Sequence, residues 1–106
     1  VSLKGNLENI LESINKVINC LIRDILKKLP EPQQQSGDKC IFKRLKPSDS
    51  ELPKTGELEE IYDRIRMVDH PSYPSIFIRH GNLLLEFSDA ELSKGEVKAT
   101  CRIVKC

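Results

Sequence analysis

The sequence predicts an α+β fold: one long N-terminal amphipathic helix packed on an antiparallel sheet of three to five strands, stapled by disulfides. Three observations carry this expectation. Apolar residues recur at helical spacing near the N-terminus, short alternating runs lie between turn residues in the second half, and the cysteines are even in number: Cys20, Cys40, Cys101 and Cys106. At 106 residues the chain has the size of one domain, since single cores typically occupy on the order of 100–150 residues. One domain over residues 1–106 is therefore expected.

The helix comes first. From Asn6 to Leu29 the apolar positions Leu7, Ile10, Leu11, Ile14, Val17, Ile18, Leu21, Ile22, Ile25, Leu26 and Leu29 share one face, leaving Glu8, Glu12, Lys16, Arg23 and Lys27 for the other. Asn6 suits the N-cap, Glu8 and Glu12 the positive end of the helix dipole, and Lys27 and Lys28 the negative end. Pro30 stops the run. Cys20 falls about 60° beyond Val17, on the flank or back of this helix.

Glu31 to Asp38 (EPQQQSGD) has the composition of an exposed connector. Lys39 to Leu45 alternates and reads as a short strand, and Pro47 to Gly56 as a loop. Leu58 to Val68 fits a helix through Leu58, Ile61, Tyr62, Ile65 and Val68, and also fits a strand. Strand is favoured because a hairpin follows and sequential strands usually pair. DHPSYP at Asp69–Pro74 is a turn or loop, as its prolines drive the residues before them out of helical geometry. Ser75 to His80 and Leu83 to Phe87 flank Gly81-Asn82, a tight-hairpin pair. Asp89 to Gly95 has room for one helical turn, and Glu96 to Lys105 alternates as a last strand.

Four cysteines allow three pairings. In an extended strand Cys101 and Cys106 stand about 16 Å apart, beyond the roughly 7 Å a disulfide tolerates. Two pairings remain, and Cys40–Cys101 with Cys20–Cys106 is preferred over the other. The absence of any C-x-x-C pair favours disulfides over zinc, and so a secreted, extracellular protein whose signal peptide has been removed.

The composition, 39% hydrophobic and 31% charged, is globular. Seventeen basic residues against sixteen acidic ones leave a formal charge of +1. With three Phe, two Tyr and no Trp there is little to form a base-stacking platform. No nucleic-acid partner is expected on these grounds. No apolar run reaches the roughly 18 residues of a transmembrane helix.

No motif specifies a reaction or a cofactor. His70 and His80 lack metal-ligand spacing, and Asp69, His70 and Ser72 are too close in sequence to converge as a hydrolytic triad. The cluster Glu57, Glu59 and Glu60 lacks a calcium-loop pattern, and phosphate-binding glycine motifs are missing. Gln33–Gly37 (QQQSG) is similar to the Q-x-V-x-G segment of cystatins over five residues, but Gln35 replaces the Val and no Pro-Trp partner exists; that family is not assigned.

The expectation is thus a non-enzymatic, cofactor-free interaction module that binds or inhibits an extracellular protein. His70, Ser72 and Tyr73 are its contact candidates, with Tyr73, held between prolines, as anchor. The second reading is a carrier of a lipid or other apolar small molecule, or a surface-active protein. It uses the broad helix face of Ile14, Ile18, Leu21, Ile22, Ile25 and Leu26.

Overall fold

A computed structural model describes all residues, 1–106. Helix α1 runs Leu7–Lys28, a short 3-10 turn spans Pro47–Ser50, and helix α2 runs Leu58–Arg66. Strands β1 (Ile76–His80), β2 (Leu83–Ser93) and β3 (Glu96–Lys105) follow as an antiparallel sheet in the order β1-β2-β3.

The start of α1 is fixed by local chemistry. The Asn9 backbone N–H donates to Asn6 Oδ1 at 3.1 Å and the Asn6 N–H donates to Asn9 Oδ1 at 3.2 Å, so each side chain satisfies an otherwise free donor. Gly5 precedes them at φ +88°, and a Cβ there would lie 2.6 Å from Asn9 Oδ1. At the far end Leu29 turns left-handed at φ 44° and its N–H closes on the Ile25 carbonyl at 2.8 Å. Pro30 cannot continue the helix.

Residues 58–68 resolve as helix rather than strand, with α2 ending at Arg66. Glu59 and Glu60 occupy its first turn and Arg64 and Arg66 its last, matching the dipole at both ends. Arg64 Nη2 reaches Glu60 Oε1 at 3.3 Å across one turn. Helix α2 lies against β2, with a smaller contact to β3.

The hairpin forms as its turn residues predict, with His80 paired to Leu83 and Gly81 at φ +59°. The helical turn expected at 89–95 is absent. Instead β2 continues to Ser93 through an irregularity between Ser88 and Glu91, where Asp89 adopts φ 50° and its N–H donates to Asp69 Oδ2 at 2.9 Å. The strand expected at 39–45 is also absent; that segment finds no pairing partner.

The expected fold class needs two further corrections. First, the long helix does not cover the sheet: α1 shares no sizeable contact with any strand, and α2 takes that place. Second, there are no disulfides. Cys20 sits on α1, Cys40 in the unpaired segment, Cys101 in β3 and Cys106 just after it, all exposed and unbonded. The preferred pairing required the flank of α1 to lie beside β3, and it does not.

Full burial is confined to Ile10 of α1, Ile65 of α2 and Ile76 of β1. The radius of gyration is 18.3 Å and the longest dimension 58 Å. A compact chain of this length has a radius near 13 Å. The difference comes from α1 and the segment after it, which stand away from the rest.

Candidate functional site

Residues 39–46 (KCIFKRLK) form an exposed, extended arm with four basic side chains, Lys39, Lys43, Arg44 and Lys46, and no acidic one. Among them Ile41 is 89% exposed and Phe42 86%. The arm is anchored only at its C-terminal end. There the Lys46 N–H donates to Asp49 Oδ2 at 2.7 Å, opening the 3-10 turn, and the Leu52 N–H donates to the Phe77 carbonyl of β1 at 2.8 Å. An exposed run of cations with an uncovered aromatic ring is suited to phosphate and base stacking.

Beside the arm lies a cleft of about 760 Å³ between the 3-10 turn and α2. Leu45, Met67 and Ile76 give it apolar walls, while Asp49, Glu57 and Glu60 are among the carboxylates at its edge. Arg64, also on the lining, is paired with Glu60, so the rim is acidic on balance while the arm beside it is basic. Nowhere do three His, Cys, Asp or Glu side chains gather closely enough to hold a metal.

The loop candidates are turned in on one another. His70 Nδ1 accepts the Ser72 backbone N–H at 3.1 Å, and the His70 and Tyr73 rings meet edge-on at 5.8 Å. Tyr73 is 52% exposed, and Asp69 serves the β2 irregularity rather than His70. The helix candidates are spread along α1: Ile14 is half-buried, whereas Ile18, Leu21, Ile22, Ile25 and Leu26 are exposed. None of the three main cavities is lined by them. From Ile18 to Leu26 the stripe is exposed surface.

Similarity to known proteins places the chain in a family. The model of the methionyl-tRNA formyltransferase C-terminal domain matches residues 47–104. The chain belongs to this family. A solved structure, methionyl-tRNA formyltransferase from Clostridium thermocellum, is 40% identical to it with a TM-score of 0.94, covering 100% of this chain and 47% of that one. The chain therefore spans about half the length of that relative. No curated protein is significantly similar.

Membership of the formyltransferase family overturns several expectations. The chain is a domain of an enzyme family, so the non-enzymatic expectation fails at that level. The secreted, extracellular placement with its removed signal peptide is overturned by the same match, and the disulfides argued for it are not there. A module for an extracellular protein partner and a carrier of apolar ligands are both set aside. The exclusion of nucleic acid is corrected as well, because the family is named for a tRNA-linked substrate. No helix is long and apolar enough to cross a membrane.

Sequence reasoning passed over the arm. Its signal was present in KCIFKRLK, but the whole-chain charge of +1 averaged it away.

Proposed function

We propose that this chain is the non-catalytic, acceptor-holding part of a methionyl-tRNA formyltransferase, and that the 39–46 arm contacts the tRNA. The observation that carries this reading is the 40% identity, over the whole chain, to the Clostridium thermocellum methionyl-tRNA formyltransferase.

Formylation of methionyl-tRNA places an acyl group on the amino nitrogen of the methionine. The chemistry belongs to a nucleophile, a proton acceptor and a formyl donor, and no such constellation is assembled here. His70 already accepts the Ser72 N–H through Nδ1. What the chain contributes is grip. Lys39, Lys43, Arg44 and Lys46 neutralise backbone phosphates and release their counterions, while Phe42 stacks on an unpaired base. Contacts of this kind position the acceptor without reading its sequence.

The test replaces Lys39, Lys43, Arg44 and Lys46 with Ala in the complete polypeptide and follows formylation of methionyl-tRNA. KM for methionyl-tRNA is expected to rise on the order of tenfold or more with kcat preserved. The slope of log affinity against log salt should fall by about 3, at roughly 0.7–0.9 per phosphate contact. An unchanged KM and salt slope would remove the arm from the acceptor site, and absence of any formylation by the unaltered polypeptide would remove the activity.

A further inference from the structure

We infer that the 39–46 arm is a strap for the cleft beside it. In the free protein it closes, seating Ile41 next to Leu45 against Met67 and Ile76 and bringing the Lys43 ammonium to Glu57 and Glu59; the structure shows it open. What opens the strap rests on the reading of the arm as a tRNA contact. The closure itself does not.

The arm carries the most uncovered apolar side chains of the chain: Ile41 is 89% exposed, Phe42 86% and Leu45 77%. Three of them within five residues make a contiguous apolar surface in water, and removing it from water is favourable. No hydrogen bond ties residues 39–45 to the rest of the chain, so nothing is broken when they swing about the anchored end at Lys46. Leu45, next to that end, already lines the cleft. Four residues of extended chain reach at most about 14 Å, which keeps Ile41 within range of the wall that Leu45 begins. Alternate side chains of an extended run share a side, so Ile41, Lys43 and Leu45 belong together, with Cys40, Phe42 and Arg44 opposite. The side that includes Leu45 is the one offered to the cleft.

The cleft matches that side in size and in charge. Its volume of about 760 Å³ takes several side chains, and its apolar wall includes Met67, itself 41% exposed. Among the carboxylates of the lining, Glu60 is held by Arg64, Asp63 by Arg66, and Asp49 accepts the Lys46 N–H. Glu57 and Glu59, at the start of α2, take part in no ion pair. An apolar–basic–apolar run thus faces an apolar wall with two free carboxylates at its edge. Closing removes apolar area from water and pairs one cation, Lys43, with them. Phosphate competes for the same Lys43, so binding of the acceptor opens the strap. Only the open fraction binds, and the apparent dissociation constant is raised by the reciprocal of that fraction.

Met67, the one methionine of residues 1–106, reports the strap in the complete polypeptide. Its oxidation to the sulfoxide by hydrogen peroxide, read at that residue by peptide mass, should be at least threefold slower in the unaltered protein than in Ile41→Ser or Lys43→Ala. The double variant Glu57→Gln, Glu59→Gln leaves the arm intact and should speed the oxidation in the same way. All four substituted side chains are exposed, so the fold is retained. Saturating methionyl-tRNA should also speed it in the unaltered protein, an unmasking on binding that is opposite in sign to an ordinary footprint. Ile41→Ser changes no charge, yet it should bind methionyl-tRNA more tightly by about the factor by which it unmasks Met67. Equal Met67 rates in the unaltered protein and all the variants would overturn the strap. Protection that fades on dilution would overturn it too, since the occupant would then be the arm of a second copy. Variants that unmask Met67 while methionyl-tRNA does not uphold the strap and remove the tRNA contact; tRNA binding weakened by loss of the arm's cations with Met67 equally reactive throughout does the reverse.

Discussion

Gly5 and Asn6 set where α1 begins, and each does so by a different physical means. Gly5 holds φ +88°, with Asn9 Oδ1 placed 2.6 Å from where a Cβ would stand. Gly5→Ala therefore meets both backbone strain and a side-chain clash, and should cost about 1–2 kcal/mol in thermal or urea denaturation. Asn6→Ala removes one half of the reciprocal cap and should cost about 1 kcal/mol; two neutral results would mean that the start of α1 is not coupled to the stability of the fold. Asp69 makes a second point at this scale. Its carboxylate accepts the Asp89 N–H at 2.9 Å, where Asp89 stands at φ 50° in the β2 irregularity. Asp69→Ala should destabilise by on the order of 1 kcal/mol, while Asp89→Gly should be neutral or slightly stabilising, since glycine accepts that backbone freely. In sequence, Asp69, His70 and Ser72 carry the letters of a triad. What could not be read there is that two of them are engaged with backbone: Asp69 with a strand twenty residues onward, His70 with its own loop.

Among the elements, α1 was legible because its 22 residues keep one apolar period with a cap at the start and Pro30 just after the end. Its neighbour was not legible, because periodicity says that a face will be covered and not by what. Residues 58–68 show the opposite error. There the helical spacing of Leu58, Ile61, Tyr62 and Ile65 was outweighed by the expectation that consecutive strands pair, and the spacing was the better guide. The arm alternated like a strand yet has no partner edge, since β1 meets the chain again only at the Glu51–Phe77 bridge. Arg66 joins the two helices, and with its side chain only 15% exposed it is the natural place to test that joint. It holds Asp63 Oδ1 at 2.7 Å, the Gly5 carbonyl at 2.9 Å and the Leu3 carbonyl, and its guanidinium lies 5.3 Å from the Tyr62 ring centre. Arg66→Ala should cost about 1–3 kcal/mol and accelerate amide exchange at residues 7–12. Arg66→Lys keeps the charge but not the planar fork, and should recover less than half of that loss. Unchanged exchange in both variants would show that α1 is held by something other than this residue.

On the scale of the whole molecule, sums misled where distributions would have informed. A formal charge of +1 conceals an arm with four cations and a cleft edged with carboxylates, so an argument from net charge against nucleic acid had no purchase on either local surface. Cysteine arithmetic failed for a related reason. An even count in a short chain suggests staples when the chain must stabilise itself alone, and that premise weakens for a chain that spans 47% of its relative. The four thiols lie on surfaces that do not converge, on α1, on the arm, within β3 and after it, and none is bonded. A thiol reagent added to the native protein without reductant should accordingly label Cys20, Cys40, Cys101 and Cys106, and denaturant should not raise the labelling of these four. Reductant should leave the urea midpoint where it was, whereas two structural disulfides would each contribute about 2–4 kcal/mol and their reduction would lower it visibly. A native protein with no free thiols and a reductant-sensitive midpoint would restore the stapled fold and with it the case for an oxidising compartment. Four reactive thiols and an insensitive midpoint would leave α2 and the sheet as a unit held by packing alone.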